Sequence, residues 1–219
     1  MILHDTRRSG NAWKVRLLAG FLGLPLRRRT LSIDRGDLRD PAFLESFPFG
    51  QVPALELEDG RRLAESTAIL QFLARDTPWW PSDPFAQAQA LSWMSFEQER
   101  HMPPLAQLRL RLALHRDADP GEPRILSWSA QARHALALLE GQLAGAGPTG
   151  WLVTADHPSI ADLALYPYTR FAPMGGISLD AYPATSAWLD RIRQWPGYQP
   201  LFPGRPDMDF GTTEAELSA

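Results

Sequence analysis

The 219-residue chain contains no cysteine. That absence excludes a disulfide framework, cysteine-ligated zinc, an iron–sulfur cluster and a protein thiol nucleophile. Lysine is nearly missing too: Lys14 is the only one, and the other basic side chains are arginines. No apolar run approaches the ~20 residues that a membrane span requires. The first residues, Met1 to Asp5, reach charge too early to hold the apolar region of a signal peptide. A soluble, cytoplasmic protein without membrane partners is expected. The 22 basic and 25 acidic residues leave a net charge of -3, without the basic excess of a general nucleic-acid binder. The five histidines lack metal-ligand spacing, and there is neither a glycine-rich phosphate loop nor a Gly-x-Ser-x-Gly elbow. No metal is expected, and no hydrolase or nucleotide machinery is visible.

What the chain does have is a large apolar fraction, 44% against 21% charged residues, enough to bury a sizeable core. Its first part alternates strand and helix patterns. Ile2 and Leu3 open a strand, and Val15, Leu18, Ala19 and Leu22 recur at helical spacing. Gly23 and Pro25 then stop that helix. A strand over Leu26 to Ile33 includes the run Arg27-Arg28-Arg29, expected to be a solvated strand face rather than the alternative, an anion-binding patch. A short helix over Pro41 to Phe47, a hairpin turning at Glu58 to Arg61, and a helix from Glu65-Ser66 complete the order βαβαββα. From there the pattern is helical throughout. A long helical stretch over Phe85 to Leu114 is interrupted at Pro103-Pro104, which should kink or break it. Further helices run from Ile125 to Leu143, from Ser159-Ile160-Ala161-Asp162, and from Ala184 to Trp195. The fold class is thus an α/β domain over 1–76 and an all-α domain over 85–203. A linker at 77–84 joins them, and a polar, poorly packed tail follows at 204–219.

Four constellations can carry chemistry. Thr6 to Asn11 joins the first strand to the first helix, where free N–H groups and the positive helix end favour an anion. Ser9 and Asn11 in it are equally good helix caps. Gln51-Val52-Pro53 places a proline just before a strand. Its X–Pro bond can be cis, which would turn the backbone of Val52 outward toward a peptide-like ligand. Glu65 and Ser66 open a helix and suit the ammonium and carboxylate of an amino-acid head group, or simply cap it. Ser159-x-x-Asp162 is a capping box with a structural role.

In this order and spacing, Val52-Pro53-Ala54-Leu55, Glu65-Ser66-Thr67-Ala68-Ile69-Leu70, Ser159 to Leu165 and Ser9 to Leu17 resemble the glutathione S-transferase superfamily, from Met1 to about Phe202. The resemblance implies an α/β thioredoxin-like N-terminal domain with an all-α C-terminal domain, and glutathione as co-substrate, added to small hydrophobic electrophiles by a homodimer. Glutathione-dependent peroxide or disulfide reduction, or a non-catalytic binding module, are the alternatives. It further implies that Val52 bonds the cysteinyl backbone, that Glu65 and Ser66 hold the γ-glutamyl end, and that Gln51 approaches the peptide. Arg35 would reach the glycyl carboxylate. Ser9 or Asn11 would stabilise the thiolate, and Arg8, His101, Tyr166 and Arg170 would border the electrophile pocket. Without cysteine, the members that form a mixed disulfide with glutathione are excluded.

Overall fold

A computed structural model describes residues 1–202; the tail at 204–219 lies outside the described residues. Four strands form one sheet in the order β2-β1-β3-β4. β1 (Ile2–Asp5) runs parallel to β2 (Arg27–Thr30), with Ile2 opposite Arg27. β3 (Ala54–Glu56) is antiparallel to β1 with Leu55 opposite Leu3, and to β4 (Arg62–Ala64) with Leu55 opposite Leu63. Side chains alternate across such a sheet. Leu3 and Leu55 accordingly enter the main core, whereas Ala54 joins Leu31, Phe43 and Phe47 in a small cluster on the other face.

The crossover between β1 and β2 is α1 (Gly10–Phe21), capped by Ser9 and released where Gly23 adopts φ +62°. Ala12, Trp13, Lys14, Val15, Leu17 and Leu18 are fully buried, because α1 is covered by α3 (Ser66–Ala74) and by α7 (Ile160–Arg170). A helix buried on so many sides carries no amphipathic stripe. α2 (Pro41–Ser46) lies between β2 and β3, and the other α-helices among the described residues are α4 (Pro84–Phe96), α5 (Met102–Leu108), α6 (Pro123–Ala146) and α8 (Pro183–Arg193). One hydrophobic cluster runs from Leu3 through Trp13 and Tyr166 to Phe202, so both domains share a core.

The double proline neither breaks the long helix nor leaves it regular. A π-helical turn, Glu97–His101, separates α4 from α5, and Pro103 and Pro104 fall in the first turn of α5. Proline is tolerated there because the first N–H groups of a helix lack intrahelical partners. A second π-helical stretch, Arg109–Leu114, follows α5. The capping box is present at the start of α7. Asp162 accepts hydrogen bonds from the Ser159 N–H at 2.8 Å, the Leu152 N–H at 3.1 Å and the Trp188 indole N–H at 2.9 Å.

The arginine run is exposed as a strand face, with one qualification. Arg28 turns back to the buried Asp5 carboxylate, at 2.8 Å, and Arg16 approaches the same carboxylate at 3.6 Å. Burial raises the Asp5 pKa, and Arg28 and then Arg16 oppose it.

Candidate functional site

A cleft of about 520 Å³ lies where the two domains meet. Thr6, Arg8, Ser9, Gly10 and Asn11 line it from the loop after β1 and the first turn of α1. Ile33, Asp34 and Leu38 line it from beyond β2, and Gly50, Gln51 and Val52 from the approach to β3. The helical domain contributes Ala106, Gln107, Arg109, Leu110, Leu114, His115 and Tyr168. Arg109 ties the halves together, donating to the backbone carbonyl of Arg8 at 3.0 Å.

The Ser9 hydroxyl oxygen accepts from the Ala12 N–H at 3.1 Å. Capping uses a lone pair and leaves the hydroxyl proton free to donate into the cleft. Asn11 spends its amide differently: Nδ2 donates to the Met102 sulfur at 3.6 Å, while Oδ1 is buried without a partner among the described residues. The Val52–Pro53 peptide bond is cis. Val52 stands ahead of β3, and among the described residues neither its N–H nor its C=O takes part in a backbone hydrogen bond. Its peptide groups are therefore available to another chain-like molecule.

Ser66 is buried in the first turn of α3, and Glu65 before it is exposed with φ +68°. A positive φ is unusual for a residue with a side chain. Neither residue borders the cleft itself. Arg35 is also outside it, paired with Asp37 at 3.2 Å and 74% exposed.

Three residues expected in the electrophile pocket are placed elsewhere. His101 is turned from the π-helical turn into the interior, its Nε2 2.8 Å from the Thr169 hydroxyl. Thr169 donates its own proton to the Leu165 carbonyl, so His101 donates from Nε2, and its buried Nδ1 has no partner among the described residues. Burial lowers the His101 pKa to about 3, with the Lys14 charge adding to the effect. Tyr166 is fully buried against Trp13 and Trp188, its hydroxyl 3.0 Å from that of Tyr198. Arg170, at the end of α7, is likewise not a cleft residue. Of the four, only Arg8 lines the cleft; its guanidinium is 3.5 Å from Asp34.

Arg109 and Tyr168 take the positions that reasoning from sequence gave to those residues. The Arg109 guanidinium stacks 3.9 Å from the Phe171 ring centroid, is 5% exposed, and has a buried Nε without a partner among the described residues. No carboxylate pairs with it among the described residues, and burial lowers its pKa to about 10, leaving it charged at neutral pH. An uncompensated buried cation is costly unless a ligand completes it.

Behind the cleft, Lys14 and Glu97 form an ion pair of 2.8 Å with both side chains fully buried. It joins α1 of the first domain to the π-helical turn of the second. Burial lowers the lysine pKa and raises that of the glutamate, and each partner's charge opposes the shift of the other. Glu65 also favours the Lys14 charge. No group of three or more metal-ligating residues is assembled among the described residues.

A thioredoxin-like domain carrying a cleft against an all-helical domain defines the class. The chain belongs to the glutathione S-transferase family: residues 8–76 match its N-terminal domain and residues 101–196 its C-terminal domain. A solved glutathione S-transferase from Pseudomonas fluorescens is 38% identical and superposes with a TM-score of 0.86, covering 91% of this chain and 98% of that one. Ure2p bound to S-p-nitrobenzylglutathione is 25% identical with a TM-score of 0.80, over 90% of this chain and 91% of its own. A maleylacetoacetate isomerase of Pseudomonas aeruginosa is 28% identical, over 94% of this chain and 98% of its own.

Proposed function

We propose that this chain binds glutathione in the interdomain cleft and adds its thiolate to small hydrophobic electrophiles. The observation that carries the reading is that Ser9, Asn11, Gln51 and Val52, singled out from the sequence, line one cleft together. Val52 would pair its free N–H and C=O with the cysteinyl backbone, and Gln51 would flank it. Glu65 and Ser66 would hold the γ-glutamyl end beyond the cleft proper. A free thiol has a pKa near ~8.5 and is only a few per cent ionised at neutral pH. The free proton of Ser9 and the N-terminus of α1 favour the anion without a general base. Ser9 is the better donor of the two candidates, since the Asn11 amide is engaged with Met102. Ile33, Leu38 and Leu110 supply apolar wall for the electrophile. A homodimer located in the cytoplasm is part of the same reading. Turnover of glutathione with a chlorodinitrobenzene tests it; a protein that binds glutathione but conjugates no haloarene would refute the conjugation step.

Arg109 favours a second reading, cis–trans isomerisation of an unsaturated dicarboxylate, as the name of the Pseudomonas aeruginosa relative suggests. The thiolate adds to the double bond, the new single bond rotates, and the thiolate leaves, so glutathione is regenerated. Arg109, with Arg8 beside it, would hold the carboxylates. Loss of maleylacetoacetate turnover on Arg109→Met, with haloarene conjugation retained, would support this reading. Absence of isomerisation by the unaltered protein would dismiss it.

A further inference from the structure

His4 lies on the face of the sheet turned away from the main core, opposite Ala54 of β3. It is 4% exposed, and neither ring nitrogen has a hydrogen-bond partner among the described residues. α2 covers it with aromatic rings: the centroids of Phe47 and Phe43 stand 4.9 Å and 6.0 Å from its own. The acidic residue of that helix, Glu45, is exposed. Charges reach His4 from the three other strands. Glu56 of β3 comes within 3.5 Å of Nε2. Arg29 of β2 is directly opposite in register, and Arg62 of β4 sits over the Phe47 ring at 5.9 Å. Burial lowers the His4 pKa from its ordinary value; Arg29 and Arg62 add to this, and Glu56 opposes it.

The rings above His4 also support the cleft. Leu38 and Val52 pack against the small cluster of Leu31, Phe43, Phe47 and Ala54, and both line the cleft. Beyond Phe47 the chain turns directly into Gly50, Gln51 and Val52. Packing thus joins His4 to the free peptide groups of Val52 without a contact between His4 and a ligand.

We propose that His4 is a proton-operated latch: the neutral ring keeps α2 seated, and its protonation unseats α2 together with Leu38, Gln51 and Val52, so that glutathione binds more weakly in mild acid. The proposal rests on the glutathione reading above and adds regulation of that site by pH. The sign follows from linkage. A histidine lowered in the seated state favours seating fully above its ordinary value of 6.5, and this support is lost as pH falls below that value. One unit below, a released imidazole is about ten parts charged to one neutral, so seating weakens there by at most about elevenfold.

The test is the affinity for S-methylglutathione, which has no thiol to ionise, at about one unit above and one unit below the ordinary histidine value. It is measured for the unaltered protein, His4→Phe and His4→Gln, two replacements of different shape of which either that keeps its affinity at the higher pH is decisive. Hydrogen exchange of the α2 amides, corrected for the intrinsic rate, is read alongside. The unaltered protein should bind several-fold more weakly at the lower pH and lose α2 protection, whereas the variants should show neither change. An equal weakening in the variants, a flat affinity in the unaltered protein, or weakening with α2 protection intact would each overturn the latch. Absence of binding at both pH values would defeat the parent reading instead, a result distinct from these.

Discussion

Breaking the Lys14–Glu97 pair one partner at a time should give stability losses with opposite pH dependence. Lys14→Met strands a fully buried carboxylate whose remaining donor is Gln98, at 2.7 Å. The protein need not keep that charge, because it can take up a proton instead. The proton-uptake route caps the electrostatic cost. From the ordinary glutamate value of 4.5 to neutral pH is two and a half units, and at about 1.36 kcal/mol each the cap is about 3.4 kcal/mol. Near pH 5 the same route costs about 0.7 kcal/mol. The sign follows from linkage: a carboxyl raised in the folded state loses stability as pH rises toward its folded value. Glu97→Gln strands the ammonium, whose ordinary value is 10.5. Its cap is therefore about 4.8 kcal/mol at neutral pH and falls to about 2 kcal/mol near pH 9. The double variant Lys14→Met, Glu97→Leu should lose less than the two single losses combined, because it leaves no stranded charge. Urea unfolding at three pH values, each variant against the unaltered protein, reads all of this. Losses independent of pH, or additive in the double variant, would refute the idea that a buried pair holds α1 to the π-helical turn.

Three other outcomes follow from particular contacts. Ser9→Ala should lower haloarene turnover more than it weakens glutathione binding, and should cost about 1 kcal/mol of stability by removing the cap on the Ala12 N–H; equal turnover would move the thiolate role to Asn11 or to backbone groups. Gly10→Ala should cost about 1–3 kcal/mol, since its Cβ would meet Phe171 and Tyr168 at 3.0 Å; thermal unfolding at unchanged midpoint would contradict this. His101, held neutral with a pKa of about 3, stabilises the fold above its ordinary value near 6.5. Acidification below that value should lose about 1.4 kcal/mol per pH unit until about pH 3, and His101→Gln should flatten the slope in urea unfolding. A slope identical in the variant would place the acid sensitivity in other groups.

The punctuation of the helices was legible beforehand, for reasons local to the chain. Gly23 adopts the positive φ its position suggested, and Ser159 with Asp162 forms the capping box. The first-domain side of the cleft was equally readable, because Ser9, Asn11, Gln51 and Val52 sit on short loops whose neighbours fix their direction. The helical side was not. Tyr166 and Tyr168 are about 200° apart around one helix, and α7 is buried on nearly every side, so no stripe indicates which tyrosine lines the cleft. For the same reason the role of Lys14 is invisible in its helix pattern; only the π-helical turn that brings Glu97 to it explains a lysine without exposure. The resemblance implies His101 in the pocket wall, but the π-helical turn ahead of the double proline carries it inward to Thr169. Arg28 looked like its neighbours in a basic run, and it is the parallel pairing of β1 with β2 that sets it against Asp5.

The central claim is that the cleft receives glutathione and favours its thiolate. A pH titration of the thiolate's ultraviolet absorbance, with glutathione bound to the purified protein, tests this most directly. Saturable binding is expected, with a thiol that titrates at least about one unit below the ordinary value of ~8.5 and moves back upward in Ser9→Ala. Absence of binding, or a bound thiol that titrates like free glutathione, would contradict it.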